Sequence, residues 1–348
     1  MGRRRSTTDT TDTTTSSMGG GGMGGGGGGG MMGNACYIYP MNNTPALDNN
    51  PDVVFQRSVD MNIPVTMDDG NVVNMWGFAD GGSGMDGMGG GATFPSAAMR
   101  VTEGDVVHTQ LNVGMMLWHT IHHHGIEPEY RSDGVGHISF DVNGQYTYQW
   151  RPAHAGTYFY HCHTNTVLHA EMGMYGALIV DPPEGQGTLF SGGPTYDVEA
   201  FWVVDEIDSS WHNLDWTAGS CGGDVGLNEL NPDYFVITGV DGSGNSAMNA
   251  PPISATVQRG QKLLARYICA GYHPQRMRFG GLTGTIYASD GRPLPNSKQV
   301  TEINAVSAER YDIIFEPTQR GTYLIETDII DWITGDVLGT TRTSITVV

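Results

Sequence analysis

The sequence of 348 residues has little positive charge and no long apolar segment. Lysine and arginine together number 17, against 37 aspartates and glutamates, so the net charge is −20. This excess of negative charge argues against nucleic acid or an anionic membrane as a partner. It is compatible with attraction of cations, although solubility is the preferred explanation. Because no run of 18 apolar residues occurs, the sequence also predicts no membrane span.

Cysteine is scarce as well, with four in the whole chain. Cys221 and Cys269 both lie in the second half and are candidates for a disulfide, which would indicate an oxidising compartment. Cys36 would then be left over, and the sequence alone leaves the pairing open. Cys162 differs from these three because a histidine lies on each side of it.

The residues around Cys162 carry most of the chemical information in the chain. His161 and His163 flank it, and His169 and Met174 follow within twelve residues. Thiolate and imidazole hold copper in both of its oxidation states, and a weak axial methionine tunes its reduction potential. In a sequence rich in strand-forming residues, this combination predicts a blue-copper site.

A second group of histidines lies upstream, between His119 and Gly125. Side chains alternate between the two faces of a strand, so His122 and His124 point the same way and His123 is an outward-facing spacer. By the same rule His161 and His163 share one face, and Cys162 points to the other. The ligands therefore fall into two sets: Cys162, His119, His169 and Met174 in the first, and His122, His124, His161 and His163 in the second.

Short runs of β-branched and aromatic residues, separated by glycine, proline, asparagine and aspartate, predict an all-β fold of the sandwich type. The length suits two such sandwiches and an additional arm. Residues 1–34 are rich in threonine and serine and then in glycine and methionine, a composition that predicts a flexible arm. A similar Gly/Met stretch at residues 81–91 is either a linker or a site that recruits Cu(I) through thioether sulfur. The predicted strands include residues 53–55, 146–150, 158–160 and 177–180.

An internal repeat indicates that the two sandwiches are copies of one fold. Pro152–His163 parallels Pro317–Asp328, and Val101–Gly104 parallels Val257–Gly260. In the second copy, Glu326, Thr327 and Asp328 stand in place of His-Cys-His, and Arg276 and Arg278 stand in place of His122 and His124. The second copy is therefore predicted to keep the scaffold without copper ligands. Five other histidines are predicted to be structural or at the surface: His108, His137, His154, His212 and His273.

These motifs together resemble those of the multicopper oxidases over residues 95–348. The resemblance implies two tandem cupredoxin-like Greek-key β-sandwich domains behind the Gly-rich arm of residues 1–34. Residues 35–183 would form the copper-binding domain and residues 184–348 the copper-free one. Further motifs that carry the resemblance are Val101–Asp105, Ser132–Val135, Gly156–Tyr158 and Met174–Val180.

The resemblance also implies roles for the ligand sets. The first set resembles the type 1 copper ligands, and the second resembles half of a type 2/type 3 cluster. His169 follows Cys162 by seven residues, where many family members have five, which we interpret as a two-residue insertion. Met172 is an alternative axial ligand to Met174.

The implied activity is one-electron oxidation of a small reducing substrate or metal ion at type 1 copper, coupled to O2 reduction. The substrate is a phenol, Cu(I), Fe(II) or Mn(II), and Cys162 would relay electrons through His161 and His163. A complete cluster in this family takes eight histidines, whereas this chain offers four. We therefore expect a homo-oligomer in which two copper-binding domains meet on a twofold axis. The family also implies a location outside the cytoplasm.

Two alternatives stay open. One is a non-catalytic copper-binding protein for electron transfer or structural assembly, which would act with a redox partner protein. The other is an enzyme similar to the copper nitrite reductases, which share the two-domain plan. Those enzymes have an aspartate where this chain has His122, and they need a histidine from a neighbouring subunit. His122 therefore favours the oxidase.

Overall fold

The computed structural model describes residues 47–81, 91–135, 141–220, 224–238 and 254–348. Within these ranges the regular structure is almost entirely β, with nineteen strands in four sheets, one α-helix and two short 3-10 helices. No helix in the described ranges is long and apolar enough to cross a membrane.

The first sandwich consists of two four-stranded sheets. One sheet has the strand order β2-β1-β4-β6 and the other the order β3-β8-β7-β5. Helix α1 (Thr166–Glu171) lies between β7 and β8, and a 3-10 helix covers Tyr130–Ser132. The strands are β1 (Val53–Thr66), β2 (Val72–Asp80), β3 (Ser96–Thr102), β4 (Val107–His119), β5 (His122–His124), β6 (Val142–Trp150), β7 (Gly156–His161) and β8 (Tyr175–Asp181).

The second sandwich pairs a six-stranded sheet, of order β10-β9-β12-β17-β14-β15, with a five-stranded sheet, of order β11-β19-β18-β13-β16. A 3-10 helix covers Trp211–Asn213. The strands are β9 (Val198–Ile207), β10 (Tyr234–Thr238), β11 (Ser254–Val257), β12 (Leu263–Cys269), β13 (Gln275–Arg278), β14 (Gly284–Ser289), β15 (Arg292–Val300), β16 (Glu302–Ala305), β17 (Arg310–Phe315), β18 (Gly321–Ile330) and β19 (Val337–Val347).

Strands β7 and β8 are buried along their whole length because both of their faces are covered. Tyr158 and Leu178 pack into the core of the first sandwich. Phe159 and Ile179 point the other way and pack with Val203 and other residues of the second sandwich. Burial on two faces explains why Ala177–Val180 reads as a continuous apolar run rather than an alternating one.

A buried chain of polar groups also joins the two sandwiches. Arg266 of β12 lies fully buried, with Nε 2.6 Å from Glu199 and a terminal nitrogen 3.3 Å from Asp312. The Thr157 hydroxyl of β7 donates to Asp312 at 2.5 Å and accepts from Arg266 at 2.8 Å. Arg100 of β3 reaches Glu199 at 2.7 Å. Charged groups buried at this junction are thus paired across it, as burial of a charge requires.

The internal repeat is visible in the backbone. The Gly104 amide donates to the Pro152 carbonyl at 2.9 Å, and the Gly260 amide donates to the Pro317 carbonyl at 2.9 Å. In each copy the strand before the glycine pairs in parallel with the last strand of its sandwich, β3 with β8 and β11 with β19. The same local sequence therefore makes the same connection twice.

The predicted all-β fold of two cupredoxin-like sandwiches is confirmed, and the four predicted strand segments lie in β1, β6, β7 and β8. The predicted domain boundary at residues 183/184 lies in the connection between β8 and β9. The arm of residues 1–34, Cys36, most of the stretch 81–91, His137 and Cys221 lie outside the described residues. The suggested disulfide was wrong, because Cys269 is a free cysteine, fully buried in the core of the second sandwich.

Candidate metal centre

The pairing of β5 with β7 builds the centre. His122 lies directly opposite His161, and His124 opposite Phe159, in an antiparallel register. Cross-strand neighbours lie close enough for their side chains to touch. The ring centroids of His122 and His161 are accordingly 5.2 Å apart, and those of His122 and His124 are 5.4 Å apart.

His123 points to the opposite face, as the alternation predicts, but it is not an outward-facing spacer. Its side chain is fully buried in the first sandwich. One ring nitrogen lies 2.9 Å from the Thr109 hydroxyl, and the ring packs on Trp150 with centroids 4.7 Å apart. The spacer prediction was wrong because the face opposite the ligands is the core of the same sandwich, not solvent.

The first ligand set closes around Cys162 at the end of β7. The Cys162 sulfur lies 3.6 Å from His119 Nδ1 and 3.4 Å from His169 Nδ1, and all three side chains are fully buried. Two ligands bound at about 2.0 and 2.3 Å in a tetrahedral arrangement lie about 3.5 Å apart. The observed separations therefore match donors arranged around one small metal ion.

A backbone carbonyl outside the ligand set fixes the orientation of the His169 ring. Its Nε2 lies 2.9 Å from the backbone carbonyl of Trp216, a contact in which the ring must donate. Nδ1 is then left with a lone pair aimed at Cys162, which is the tautomer that a metal ligand needs.

Helix α1 carries His169 into the site. Asn165, in the left-handed conformation with φ +44°, begins the helix, and His169 lies in its last turn. The seven-residue step from Cys162 to His169 is therefore spanned by a helical turn. The Met174 amide then donates to the His169 carbonyl at 3.1 Å, and the Met174 carbonyl accepts from the Cys162 amide at 3.0 Å.

Met174 and Met172 are both fully buried in the core cluster that contains Cys162. The backbone of Met174 is bonded to two ligands of the set, whereas the Met172 carbonyl accepts from the Trp76 amide at 2.6 Å. These contacts agree with Met174 as the axial ligand, and the choice between the two methionines stays a prediction.

The second set lies on the other face of the same strand. Ligand nitrogens of His122, His124 and His161 all lie within 4.8 Å of one another, with His124 Nδ1 3.2 Å from His161 Nε2. His163 borders this group through ring contacts, 5.5 Å from His122 and 5.7 Å from His161 between centroids. The structure thus brings three predicted ligands together and leaves His163 at their edge.

Backbone carbonyls orient two of these rings. His122 Nδ1 lies 2.7 Å from the carbonyl of Asp133, and His161 Nδ1 lies 2.9 Å from the carbonyl of Cys162. Each ring must donate through Nδ1 to these acceptors, so its Nε2 keeps the lone pair, and that of His161 lies against His124. Such partners are typical of the surroundings of metal-binding histidines.

Burial keeps the imidazoles neutral. Desolvation lowers the pKa of His169 to about 4 and, with the positive charge of Arg310 nearby, that of His124 to about 3. The pKa values of His119 and His161 are lowered well below the usual range, chiefly by burial. Neutral imidazoles are the form that binds metal.

The same burial raises the pKa of the Cys162 thiol to about 12. A bound cation reverses this effect, because a coordinating thiol is deprotonated by the charge of the ion. Thiol, imidazole and thioether donors together fit copper, and the first set has all three.

The other histidines of the described residues lie outside both ligand sets. His108 Nε2 lies 3.0 Å from the side-chain oxygen of Gln149, and His154 is exposed. His212 Nδ1 lies 2.8 Å from the Asn74 carbonyl, and His273 Nδ1 lies 3.1 Å from Glu206. These contacts agree with the structural or surface roles predicted for them.

The equivalent edge of the second sandwich carries ion pairs. Asp328, almost fully buried, accepts from Arg276 at 2.9 Å, from Arg278, and from the Thr340 hydroxyl at 2.8 Å. Arg278 also reaches Glu326 at 3.4 Å. Arginine offers no lone pair to a metal, so these residues satisfy one another.

Sequence reasoning missed the groups that orient the ligands. The carbonyls of Trp216 and Asp133 act through the backbone, so the type of side chain at those positions carries no signal. Asn165 is distant in sequence from Trp216, which it contacts, and Arg310 is distant from Phe159. Arg310 lies 5.8 Å from the Phe159 ring, which stacks on His124 and on His161.

Comparisons with known proteins agree with this geometry. Residues 71–185 match the family model described as multicopper oxidase. Copper resistance protein A of Escherichia coli is 29% identical over 286 residues, which are 72% of this chain and 46% of that protein. Copper resistance protein A of Pseudomonas syringae pv. tomato is 27% identical over 255 residues, 64% of this chain and 41% of the relative. The chain thus spans less than half the length of these relatives.

L-ascorbate oxidase of Cucumis sativus is 38% identical over 134 residues, 36% of this chain and 21% of that enzyme. Among solved structures, the blue copper oxidase of Nitrosomonas europaea superposes with a TM-score of 0.65 at 23% identity, covering 85% of each chain. The copper nitrite reductase of the same organism gives a TM-score of 0.61 at 17% identity, covering 85% of this chain and 93% of its own. These two structures share the fold.

Proposed function

We propose that the chain is a copper-dependent oxidoreductase of the multicopper oxidase type, whose family model residues 71–185 match, and that its oxygen-reducing site is completed by a second copy. Cys162, His119, His169 and Met174 would hold type 1 copper. His122, His124, His161 and His163 would hold half of the second centre.

One observation carries the proposal: the two ligand sets share the tripeptide of residues 161–163. Cys162 faces His119 and His169, while His161 faces His122 and His124. The Cys162 sulfur of the first set and the His161 ring of the second set are therefore joined by the covalent bonds of two adjacent residues. This is the arrangement that transfer of single electrons between two metal sites requires.

Copper at these sites would supply one-electron oxidation of a donor at the first and reduction of O2 at the second. The protein's own contribution is to fix the donors. The Trp216, Asp133 and Cys162 carbonyls hold three rings in the tautomer that leaves a lone pair towards the site. Burial excludes water from Cys162 and His119.

The proposal of a second copy rests on the count of imidazoles in these 348 residues. Beyond residue 170 the sequence contains His212 and His273 and no other histidine, and both have partners elsewhere. The rings of His122, His124 and His163 remain partly exposed at the surface of this chain. Two copies related by a twofold axis would place eight histidines around one cavity.

Mass and copper content measured together test the proposal. We expect a dimer, or a multiple of dimers, with more than one copper per chain. Oxygen consumption per chain should fall on dilution below the dissociation constant, while the visible absorption of type 1 copper stays constant. Oxygen reduction by a verified monomer would contradict the shared site.

A second candidate is electron transfer with type 1 copper alone. The observation in its favour is the ion-pair cluster of Arg276, Arg278 and Asp328, which offers no further ligands within the chain. A stable assembly with one copper per chain and no oxygen consumption would support it. His122 lies within the histidine set rather than being replaced by a carboxylate, so we favour the oxidase over a nitrite reductase.

The reducing substrate would be a small phenol or a metal ion, namely Cu(I), Fe(II) or Mn(II). The acidic chain suits cationic substrates by long-range attraction. A location outside the cytoplasm follows from the same proposal. Turnover measured in parallel with each substrate class would rank them.

A further inference from the structure

One side chain beside the first ligand set, that of Asn165, makes two long-range contacts. Asn165 precedes helix α1 in the left-handed conformation, with φ +44° and ψ +52°. Its carboxamide nitrogen donates to the carbonyls of Trp216 at 3.2 Å and Ala218 at 2.9 Å, both more than 50 residues away in sequence. The left-handed region is costly for most side chains, and asparagine is among the few that enter it routinely.

One of the two carbonyls that Asn165 binds, that of Trp216, is also bound by His169. The Trp216 carbonyl that receives the Asn165 amide also accepts the Nε2 proton of His169 at 2.9 Å. Segment 216–218, which lies in the connection between β9 and β10 of the second sandwich, is therefore held over the outer edge of the imidazole. His169 is fully buried as a result, and Trp216 is only partly buried.

We propose that Asn165 is a positioning residue for His169. Its carboxamide clamps segment 216–218 so that the Trp216 carbonyl fixes the tautomer and orientation of the ring and shields its Nε2 edge. The proposal rests on the proposed copper site, because its functional effect is on copper bound through His169 Nδ1. It implies that an electron donor contacts segment 216–218 and not the imidazole edge.

The chemistry of the side chain fits this role. A carboxamide has two N–H donors for two carbonyls, whereas a carboxylate of the same shape has none. Glycine adopts the left-handed backbone without strain but lacks the clamp. The hydrogen bond that a metal-binding histidine donates through its outer N–H raises the basicity of the ring, and its loss typically weakens metal binding by about 10- to 100-fold.

The first measurement follows the Nε2 proton of His169 by NMR in the full-length metal-free protein. We expect a slowly exchanging signal in the wild type and its loss in Asn165→Gly. The matched control is Asn228→Gly, which removes the same side chain from an exposed position in the loop that follows segment 216–218. A signal that survives in Asn165→Gly would overturn the clamp.

Asn165→Asp provides a second variant if the glycine variant does not fold, since it keeps the size and the left-handed preference. It should lose the signal as well, because its carboxylate has no proton to donate. Retention of a protected signal in this variant would count equally against the proposal.

The second measurement uses the copper-loaded protein. Asn165→Gly should raise the copper dissociation constant about tenfold and shift the reduction potential upwards, because a less basic imidazole stabilises Cu(II) less. Unchanged affinity and potential would show that the asparagine serves only to start the helix. Wild-type protein without copper at Cys162 would instead refute the proposed function, and the NMR measurement would still decide the clamp.

Discussion

At the edge where β5 meets β7, the nitrogens of three imidazoles lie within 4.8 Å of one another, whereas at the equivalent edge of β13 and β18, two arginines surround Asp328. Each place is an antiparallel strand pair in which one strand begins with the repeated Gly-Thr-Tyr sequence, although β5 is the last strand of its sheet and β13 also pairs with β16. What differs is how the polar groups are satisfied. Guanidinium and carboxylate neutralise each other, so the second edge is complete by itself. The imidazoles of the first edge offer ring nitrogens that a metal ion can bind in place of the contact between His124 and His161.

The register also differs between the two edges. His122 pairs with His161, but Arg276 pairs with Asp328, which the repeat aligns with His163 rather than with His161. A shift of two residues keeps every side chain on its original face, because the period of a strand is two. The two copies therefore differ in these residues and in register by two positions, while each keeps its core face.

The largest effect should come from the thiolate. Cys162→Ser should abolish the intense visible absorption of the copper-loaded protein, because the sulfur bond to Cu(II) is its origin. Cys269→Ala, at the free cysteine of the second sandwich, should keep the band. An absorption spectrum of each variant after copper titration provides the check, and a band that survives in Cys162→Ser would refute the first ligand set.

The histidine edge should be essential for oxygen reduction and the ion-pair edge should not. His122→Ala, and likewise His163→Ala, should reduce oxygen consumption to background while the type 1 band remains, since neither side chain belongs to the first set. Arg276→Ala changes the corresponding position of the second sandwich and should leave oxygen consumption within a factor of about two. An oxygen electrode and a visible spectrum on the same samples separate these results. Equal losses of oxygen consumption in His122→Ala and Arg276→Ala would contradict the difference in function between the two strand pairs.

The ion-pair edge should contribute to stability in a pH-dependent way. Burial alone raises the pKa of Asp328, but hydrogen bonds from Arg278 and Arg276 outweigh this and lower it to about 2, from an ordinary value of 3.8. The stabilisation is therefore present above pH 4 and is lost as the pH falls towards 2.

Asp328→Asn should accordingly reduce the free energy of unfolding by about 1–2 kcal/mol at pH 7, a modest value because the arginines are partly exposed. The difference from the wild type should shrink between pH 4 and pH 2. Urea denaturation across this range measures it, and a difference independent of pH would contradict the assigned role.

The smallest effect concerns the axial ligand. Met174→Leu should keep the visible band and raise the reduction potential, because a weak electron donor is removed from the first set. Met172→Leu should leave the potential close to that of the wild type. A redox titration of the two variants decides between them, and the reverse result would assign the axial position to Met172.

Features that depend on short sequence distances were predictable. Alternation on a strand separates Cys162 from His161 and His163 without knowledge of any tertiary contact. The repeated Gly-Thr-Tyr segment shows the second sandwich and the loss of its ligands for the same reason. Both predictions rest on local sequence and strand geometry, which do not depend on tertiary contacts.

Features that depend on what covers a surface were not predictable. Alternation directs His123 away from the ligands, but only packing shows that Thr109 and Trp150 bury it. The Trp216 carbonyl reaches His169 across 47 residues and is a group that every residue possesses. Cys269 looked like a candidate for pairing because spacing gives no information on burial.

The polar chain through Arg266 has a consequence for how the molecule comes apart. Its guanidinium lies between Glu199 and Asp312, and Thr157 of the first sandwich touches both Arg266 and Asp312. Pulling the sandwiches apart would remove Thr157 and expose the apolar face that Phe159 covers. The two sandwiches should therefore unfold as one cooperative unit. The first sandwich, which bears the histidines, depends on contacts with the second for its stability.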